Sequence, residues 1–133
     1  MCEKCFTLVL MNSNFFQTAP SLSNTYQSDR LLRSLVETQI DPQWQKEVHV
    51  QLDRLGQRSV TDLQSFADQA EKNPPQLVSF DPWGSRIDDI QVREGWRKLE
   101  EAAAEEGIVA TGYERKFGVQ SRTVQFAKLY LYH

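Results

Sequence analysis

Cysteine is nearly absent from this 133-residue sequence: the two present, Cys2 and Cys5, form a lone C-x-x-C at the N-terminus. With no second pair, no neighbouring histidine and no βα context, that spacing reads as two free thiols rather than a zinc site, a disulfide framework or a redox motif. Long apolar runs are missing as well. None approaches the roughly 20 residues of a membrane span, and Phe6 to Met11 is too short for the core of a signal peptide. Lys4 is the only basic residue before Arg30, which argues against a mitochondrial transit peptide. The chain therefore reads as intracellular, with the cytoplasm favoured. Nor is one sign of charge in excess: 15 basic and 18 acidic residues are interleaved, for a net charge of −3. No footprint for a nucleic-acid backbone exists in such a pattern. Gly112 and Gly118 are too far apart for a phosphate-cradling G-x-G-x-x-G. Histidine is limited to His49, flanked by Val48 and Val50 and read as structural or surface, and the terminal His133. No metal site is expected.

What is present is ordinary for a globular protein, at 40% hydrophobic and 25% charged residues. One domain of this length buries roughly two-thirds of the surface exposed by its unfolded chain. Residues 1–14, with a second methionine at Met11, are expected as a disordered leader, and 15–133 as the domain. Phe15 to Gln27 has no period and reads as an extended arm. Ser28 is placed to cap a first helix, with Asp29 in its first turn and Leu31, Leu32, Leu35 and Val36 as its apolar stripe. Asp41 and Pro42 start a second helix, in which Trp44, Val48, Leu52 and Leu55 share a face and Gly56 closes the element. Thr61 and Gln64 have capping-box spacing for a third, with Leu63, Phe66, Ala67 and Ala70 inward. Asn73-Pro74-Pro75 ends it.

The middle of the chain carries the densest signals. Leu77 to Phe80 is a short apolar run, and Asp81-Pro82-Trp83-Gly84 has the chemistry of a type I turn. Arg86 to Val92 returns as the partner strand. Ile90 and Val92 share one face and Ile87 lies on the other, a slip that predicts a bulge near Asp88-Asp89. From Glu94 the period becomes helical, with Trp96, Leu99, Ala102 and Ala103 inward to about Glu106 and Gly107 at the left-handed C′ position. Trp96 is expected to be buried. The run Glu100, Glu101, Glu105 and Glu106, with Arg97 and Lys98 at pairing distance, reads as a solvated face. Adjacent carboxylates Asp88 and Asp89 point to opposite faces of a strand and do not form an acid/base pair. Ile108 to Arg115 is expected as a short helical segment, and Ser121 opens a last helix bearing Val124, Phe126, Ala127, Leu129, Tyr130 and Leu131, apolar over most of its circumference. Such a helix requires neighbours on several sides.

The set Asp81, Gly84, Arg86 and Asp88, spaced D-x-x-G-x-R-x-D and followed by Trp96, resembles one branch of the acyl-CoA dehydrogenases, that of the bacterial alkylation-response flavoproteins and their animal relatives. Ser23 to Asp29, Asn73 to Leu77, Glu105 to Gly107 and Gly112 to Glu114 are similar to the same branch in the same order. Ser85, where a second basic residue is common, and Glu94, where a proline often precedes the tryptophan, depart from it. The resemblance implies a mainly α fold: the helical N-terminal domain of the acyl-CoA dehydrogenase type with one β-hairpin, incomplete. It implies FAD, fatty acyl-CoA and a homo-oligomer for the full-length family, with the flavin site and the α-proton base outside this chain. No catalytic or cofactor-binding residue is expected here, and the abrupt stop at His133 suggests a partial product. In that fold a helix ahead of the β-domain walls the acyl cavity, which makes Phe126, Leu129 and Tyr130 candidate acyl contacts, with plain core packing as the alternative. A stand-alone fatty-acyl-binding or assembly module is the competing reading, and a damage response lacks a basic surface to hold DNA.

Overall fold

Asn24 begins the ordered helical architecture by accepting hydrogen bonds from the backbone N–H groups of Tyr26 (3.0 Å) and Gln27 (3.2 Å). The computed structural model describes residues 20–132, so the leader expected at 1–14, the Cys2/Cys5 pair, Phe15, Phe16 and His133 lie outside the described residues. The capped turn, α1 (Thr25–Ser28), replaces the end of the expected extended arm, because the Asn24 side chain satisfies amides that an arm would leave to water. The next cap is Asp29 rather than Ser28. Its carboxylate accepts from Leu32 N at 2.9 Å and starts α2 (Arg30–Gln39), while Ser28 Oγ donates back to Thr25 O.

Helix α3 (Pro42–Arg58) starts at Asp41 and Pro42 as expected but runs through Gly56 instead of ending there. A methyl group on Gly56 would fall 2.5 Å from Asn24 Oδ1 and 2.7 Å from Tyr26 Cβ, so this glycine lets α1 lie directly on α3. Helix α4 (Asp62–Lys72) starts after Thr61, with no capping box: Thr61 Oγ1 donates back to Gln57 O at 3.0 Å. Leu63 and Ala70 are buried on α4, and Phe66 and Ala67 half-buried.

Strands β1 (Gln76–Phe80) and β2 (Arg86–Gln91) pair antiparallel as Gln76↔Gln91, Leu77↔Ile90, Val78↔Asp89 and Phe80↔Arg86. Between the last two pairs β1 contributes Ser79 alone and β2 contributes Ile87 and Asp88, which is the expected bulge, with Asp88 at φ +46°. The turn closes through Gly84 N to Asp81 O at 3.1 Å. Helix α5 (Glu94–Glu105) follows, then Gly107 at φ +60°, α6 (Ala110–Glu114), a 3-10 turn (Gly118–Gln120) and α7 (Ser121–Tyr132).

The core lies where α2, α3 and α7 meet, around Val36, Val48, Leu52, Leu55, Phe117, Val124 and Leu131. Trp44 meets Phe117 edge-on at 5.7 Å. Tyr26 is buried too, its hydroxyl 2.5 Å from His49 Nδ1, and burial pushes its pKa up to about 12. Trp96 corrects an expectation, since it is 41% exposed. Helix α5 presents Gly95, not Trp96, to α4: a Cβ there would stand 2.7 Å from Ala70 N, so the closest approach admits no side chain. Trp96 flanks that crossing and donates its indole N–H to Ala70 O and Asn73 O, both at 3.2 Å.

Candidate functional site

The apolar residues of α7 fall into two sets. Val124, Ala127 and Leu131 recur at i, i+3 and i+7 and are buried against the core. Phe126 and Tyr130, four residues apart on the other side, are 66% and 63% exposed. On α2 the same division holds: Leu32 and Val36 face inward, while Leu31 is 84% and Leu35 43% exposed. The expected four-residue stripe of α2 is thus a two-residue one, because the core touches α2 along a single i, i+4 row. Between the outward sets runs an open groove of about 510 Å³, walled by Leu31, Leu35, Thr123, Phe126 and Tyr130. Leu129, half-buried, is not among its lining residues.

One polar contact crosses the groove. Tyr130 donates its hydroxyl to Asp29 Oδ2 at 2.9 Å, joining residues 101 positions apart. The Leu32 N–H, and then the Tyr130 hydroxyl, hold the Asp29 carboxyl below the usual carboxylate range. The same bond pushes the Tyr130 phenol up. No cationic side chain is among the described residues lining the groove. Its chemistry therefore fits a hydrocarbon chain, not a phosphate or a pyrophosphate.

A second, polar cluster lies under the other side of α7. Glu106, read from the sequence as part of a solvated face, is only 4% exposed. It accepts from Arg54 Nη2 at 2.6 Å and from Arg58 Nη1 at 2.9 Å, while Lys128 donates to its backbone carbonyl (2.7 Å) and to Thr111 Oγ1 (3.0 Å). Burial lowers the Lys128 pKa, against the pull of Glu106. These contacts fasten the end of α5 to α3 and α7, with the Glu106 carboxylate paired to two arginines and the Lys128 ammonium held by a backbone carbonyl and a hydroxyl. A signal for Lys128 did exist, since it stands four residues after Val124 on the buried stripe; Glu106 is marked only by its place just before Gly107.

The motif residues do not converge on the groove. Asp81 Oδ1 accepts from Trp83 N (2.9 Å) and Ser85 N (2.8 Å), Gly84 sits at φ +88°, and Arg86 Nε donates to Asp88 Oδ2 at 2.7 Å. They build the hairpin turn, and Trp96 anchors the following helix. Among the described residues no group of three or more His, Cys, Asp or Glu is placed to hold a metal ion, and no helix is long and apolar enough to cross a membrane.

Residues 17–133 match the family described as "Adaptive response protein AidB N-terminal domain". Acyl-CoA dehydrogenase family member 11 of Caenorhabditis elegans is 34% identical over 119 residues, covering 89% of this chain and 19% of that protein. The solved structure titled "Bd2924 apo-form" superposes with a TM-score of 0.83 at 51% identity, over 90% of this chain and 24% of that one. The Caenorhabditis elegans ACDH-11 structure in complex with C11-CoA superposes with a TM-score of 0.80 at 33% identity, over 90% and 20%. The chain spans between a fifth and a quarter of these longer relatives. The resemblance read from the hairpin motif and the mainly helical fold with one hairpin are both borne out. The chain belongs to the AidB N-terminal domain family, the helical N-terminal region of acyl-CoA dehydrogenase-like proteins.

Proposed function

We propose that this chain works as the N-terminal domain of a FAD-dependent, homo-oligomeric oxidoreductase acting on fatty acyl-CoA in the cytoplasm, and that it is catalytically silent alone. The domain runs over 15–133, behind a leader at 1–14. The observation that carries this reading is the largely apolar groove, free of cationic side chains among its described lining residues and walled by Phe126 and Tyr130, in a chain that superposes on about a fifth of a protein solved with C11-CoA. Phe126 and Tyr130, which line the groove, contact the acyl chain, with Leu129 of the same helix the third candidate contact. The groove does not fit a flavin dinucleotide, whose pyrophosphate requires cations or a cluster of backbone N–H groups. Flavin and α-proton base are accordingly supplied by sequence outside the stretch shared with the relatives. Within the groove the chain's own residues orient a hydrocarbon and exclude water from it.

The test has two arms. The purified chain, mixed with FAD and an eleven-carbon acyl-CoA, is expected to retain no yellow colour. Fused to the region following the matched segment in the Caenorhabditis elegans relative, it is expected to give a flavoprotein bleached by acyl-CoA, and Phe126→Asp to lower kcat/KM about tenfold or more, as loss of a well-packed apolar contact does. A stoichiometric flavin complex of the chain alone would refute the silent-domain reading. Acyl-CoA binding by the chain alone, abolished by Phe126→Asp, would favour the second reading, a stand-alone acyl-binding or assembly module, which the openness of the groove independently motivates.

A further inference from the structure

Helices α2 and α7 run antiparallel and are tied at both ends. At one end Tyr130 donates its hydroxyl to Asp29 Oδ2 at 2.9 Å. At the other the Asp41 N–H, just past α2, donates to Gln120 Oε1, just before α7, also at 2.9 Å. The groove between the two helices therefore has a direction: Leu35 and Thr123 line it toward the Gln120 tie, Phe126 the middle, and Leu31 and Tyr130 the Asp29 end. Asp29 is the one charged residue among the described residues lining it. Both of its carboxylate oxygens are engaged, Oδ1 by the Leu32 N–H and Oδ2 by Tyr130, so a polar bridge fixed to the first turn of α2 spans this end.

We propose, resting on the reading that this groove holds an acyl chain, that the Asp29–Tyr130 pair is its end stop: an unbranched chain lies with its methyl end against the pair and its head beyond Leu35 and Thr123. Charge sets the direction. The head of a fatty acyl-CoA carries phosphates and that of a fatty acid a carboxylate, and either beside Asp29 would set like charge against like. Length follows from the same bridge. Methylenes short of it leave water against Leu31, Phe126 and the Tyr130 ring, whereas those beyond it must part the Asp29–Tyr130 bond or return to water. The lined stretch, from Leu35 to Asp29 on one wall and from Thr123 to Tyr130 on the other, is roughly 9 to 10 Å of helix. An extended hydrocarbon advances about 1.25 Å per carbon, so the groove measures about seven or eight carbons. Asp29 is then a residue that sets chain length and orientation, held in place because it also caps the helix that forms one wall.

The probes are saturated, unbranched fatty-acid anions kept below their micelle concentrations and titrated into the purified chain, with the amide signals of Leu31, Leu35 and Phe126 followed by NMR. Affinity is expected to rise up to about fourfold per added carbon, the worth of a buried methylene, and to level off at about eight carbons. A probe ending in a trifluoromethyl group is expected to give fluorine–proton Overhauser contacts to Leu31 and Tyr130 and none to Thr123. Asp29→Ser keeps a side-chain oxygen that can cap α2 but removes the carboxylate, and the levelling-off is expected to move to longer chains by about two carbons or more. Affinity that climbs undiminished through about twelve carbons in the wild type, a fluorine contact at Thr123, or a break point unmoved in Asp29→Ser overturns the end stop and leaves the acyl groove standing. Absence of binding at every length, or binding that Phe126→Asp leaves unchanged, removes the groove reading itself and the end stop with it. If Asp29→Ser loses its helical circular dichroism, the wild-type series and the fluorine contacts decide by the same criteria.

Discussion

The three-helix core and the hairpin use the same residue types to opposite effect. Val48, Leu52, Leu55 and Val124 are wholly buried where α2, α3 and α7 meet, while Leu77, Ile90 and Trp83 in the hairpin are 63%, 66% and 87% exposed. The core residues recur at helical spacing on three elements that can face one another, so each stripe finds another stripe. The hairpin satisfies its own backbone through turn and ladder, but among the described residues no third strand extends the sheet. Two strands alone are marginally stable in water. The core thus buries its own apolar residues, while the hairpin leaves its own exposed.

The largest expected effect follows from that contrast. Leu52→Ala should lower the free energy of unfolding by about 2 to 5 kcal/mol, from lost transfer energy and an unfilled cavity. Ile90→Ala should cost under about 1 kcal/mol, since little of that side chain leaves water on folding. Urea titrations of both proteins in dilute solution measure the difference. Equal losses would break the comparison and show the hairpin to have a buried face.

A smaller effect is expected at the turn, where Gly84 has a positive φ and open space around it. Gly84→Val meets no clash but must adopt a left-handed backbone, at a cost of roughly 1 to 2 kcal/mol. Because the hairpin barely packs on the core, this strain should appear as faster amide exchange between Asp81 and Arg86 with little movement of the global unfolding midpoint. A drop in the midpoint matching the local loss would mean that hairpin and core unfold as one unit.

How much of this was legible in the sequence follows from the kind of signal involved. The hairpin, its turn and its bulge came through because Asp81, Pro82, Gly84 and the slip at Ile87 act locally. The start of α3 and the breaks at Gly107 and Gly118 did for the same reason. Errors arose where a distant contact decided the outcome. Gly56 reads as a helix end and is a docking point for α1; Trp96 reads as a core anchor, yet the crossing of α4 and α5 is tight enough to admit only Gly95. Glu106 reads as solvated, and two arginines 48 and 52 residues earlier bury it. Of the groove, the resemblance points to Phe126 and Tyr130, while its other wall, Leu31 and Leu35, reads in the sequence only as half of the apolar stripe of α2. A stripe of leucines shows that a helix has an apolar side, not how much of it the neighbours cover.

The smallest effect belongs to the seam where the core itself stays open. Asp29 caps α2 and accepts the Tyr130 hydroxyl across the groove, and both bonds favour its ionised form. Its folded pKa is therefore below its unfolded value, so it stabilises the protein above about pH 3.9 and that contribution is lost as pH falls through the lower folded value. Tyr130→Phe removes one of the two causes and leaves the Leu32 N–H in place. The Asp29 carboxyl midpoint, followed by NMR, should move upward toward the ordinary range without reaching it, and the acid limb of the stability curve should begin at a correspondingly higher pH. The groove keeps its ring and its hydrocarbon character. An Asp29 midpoint identical in the two proteins would show that α2 and α7 are not clasped in solution, and that the core's open seam is as unfastened as the hairpin.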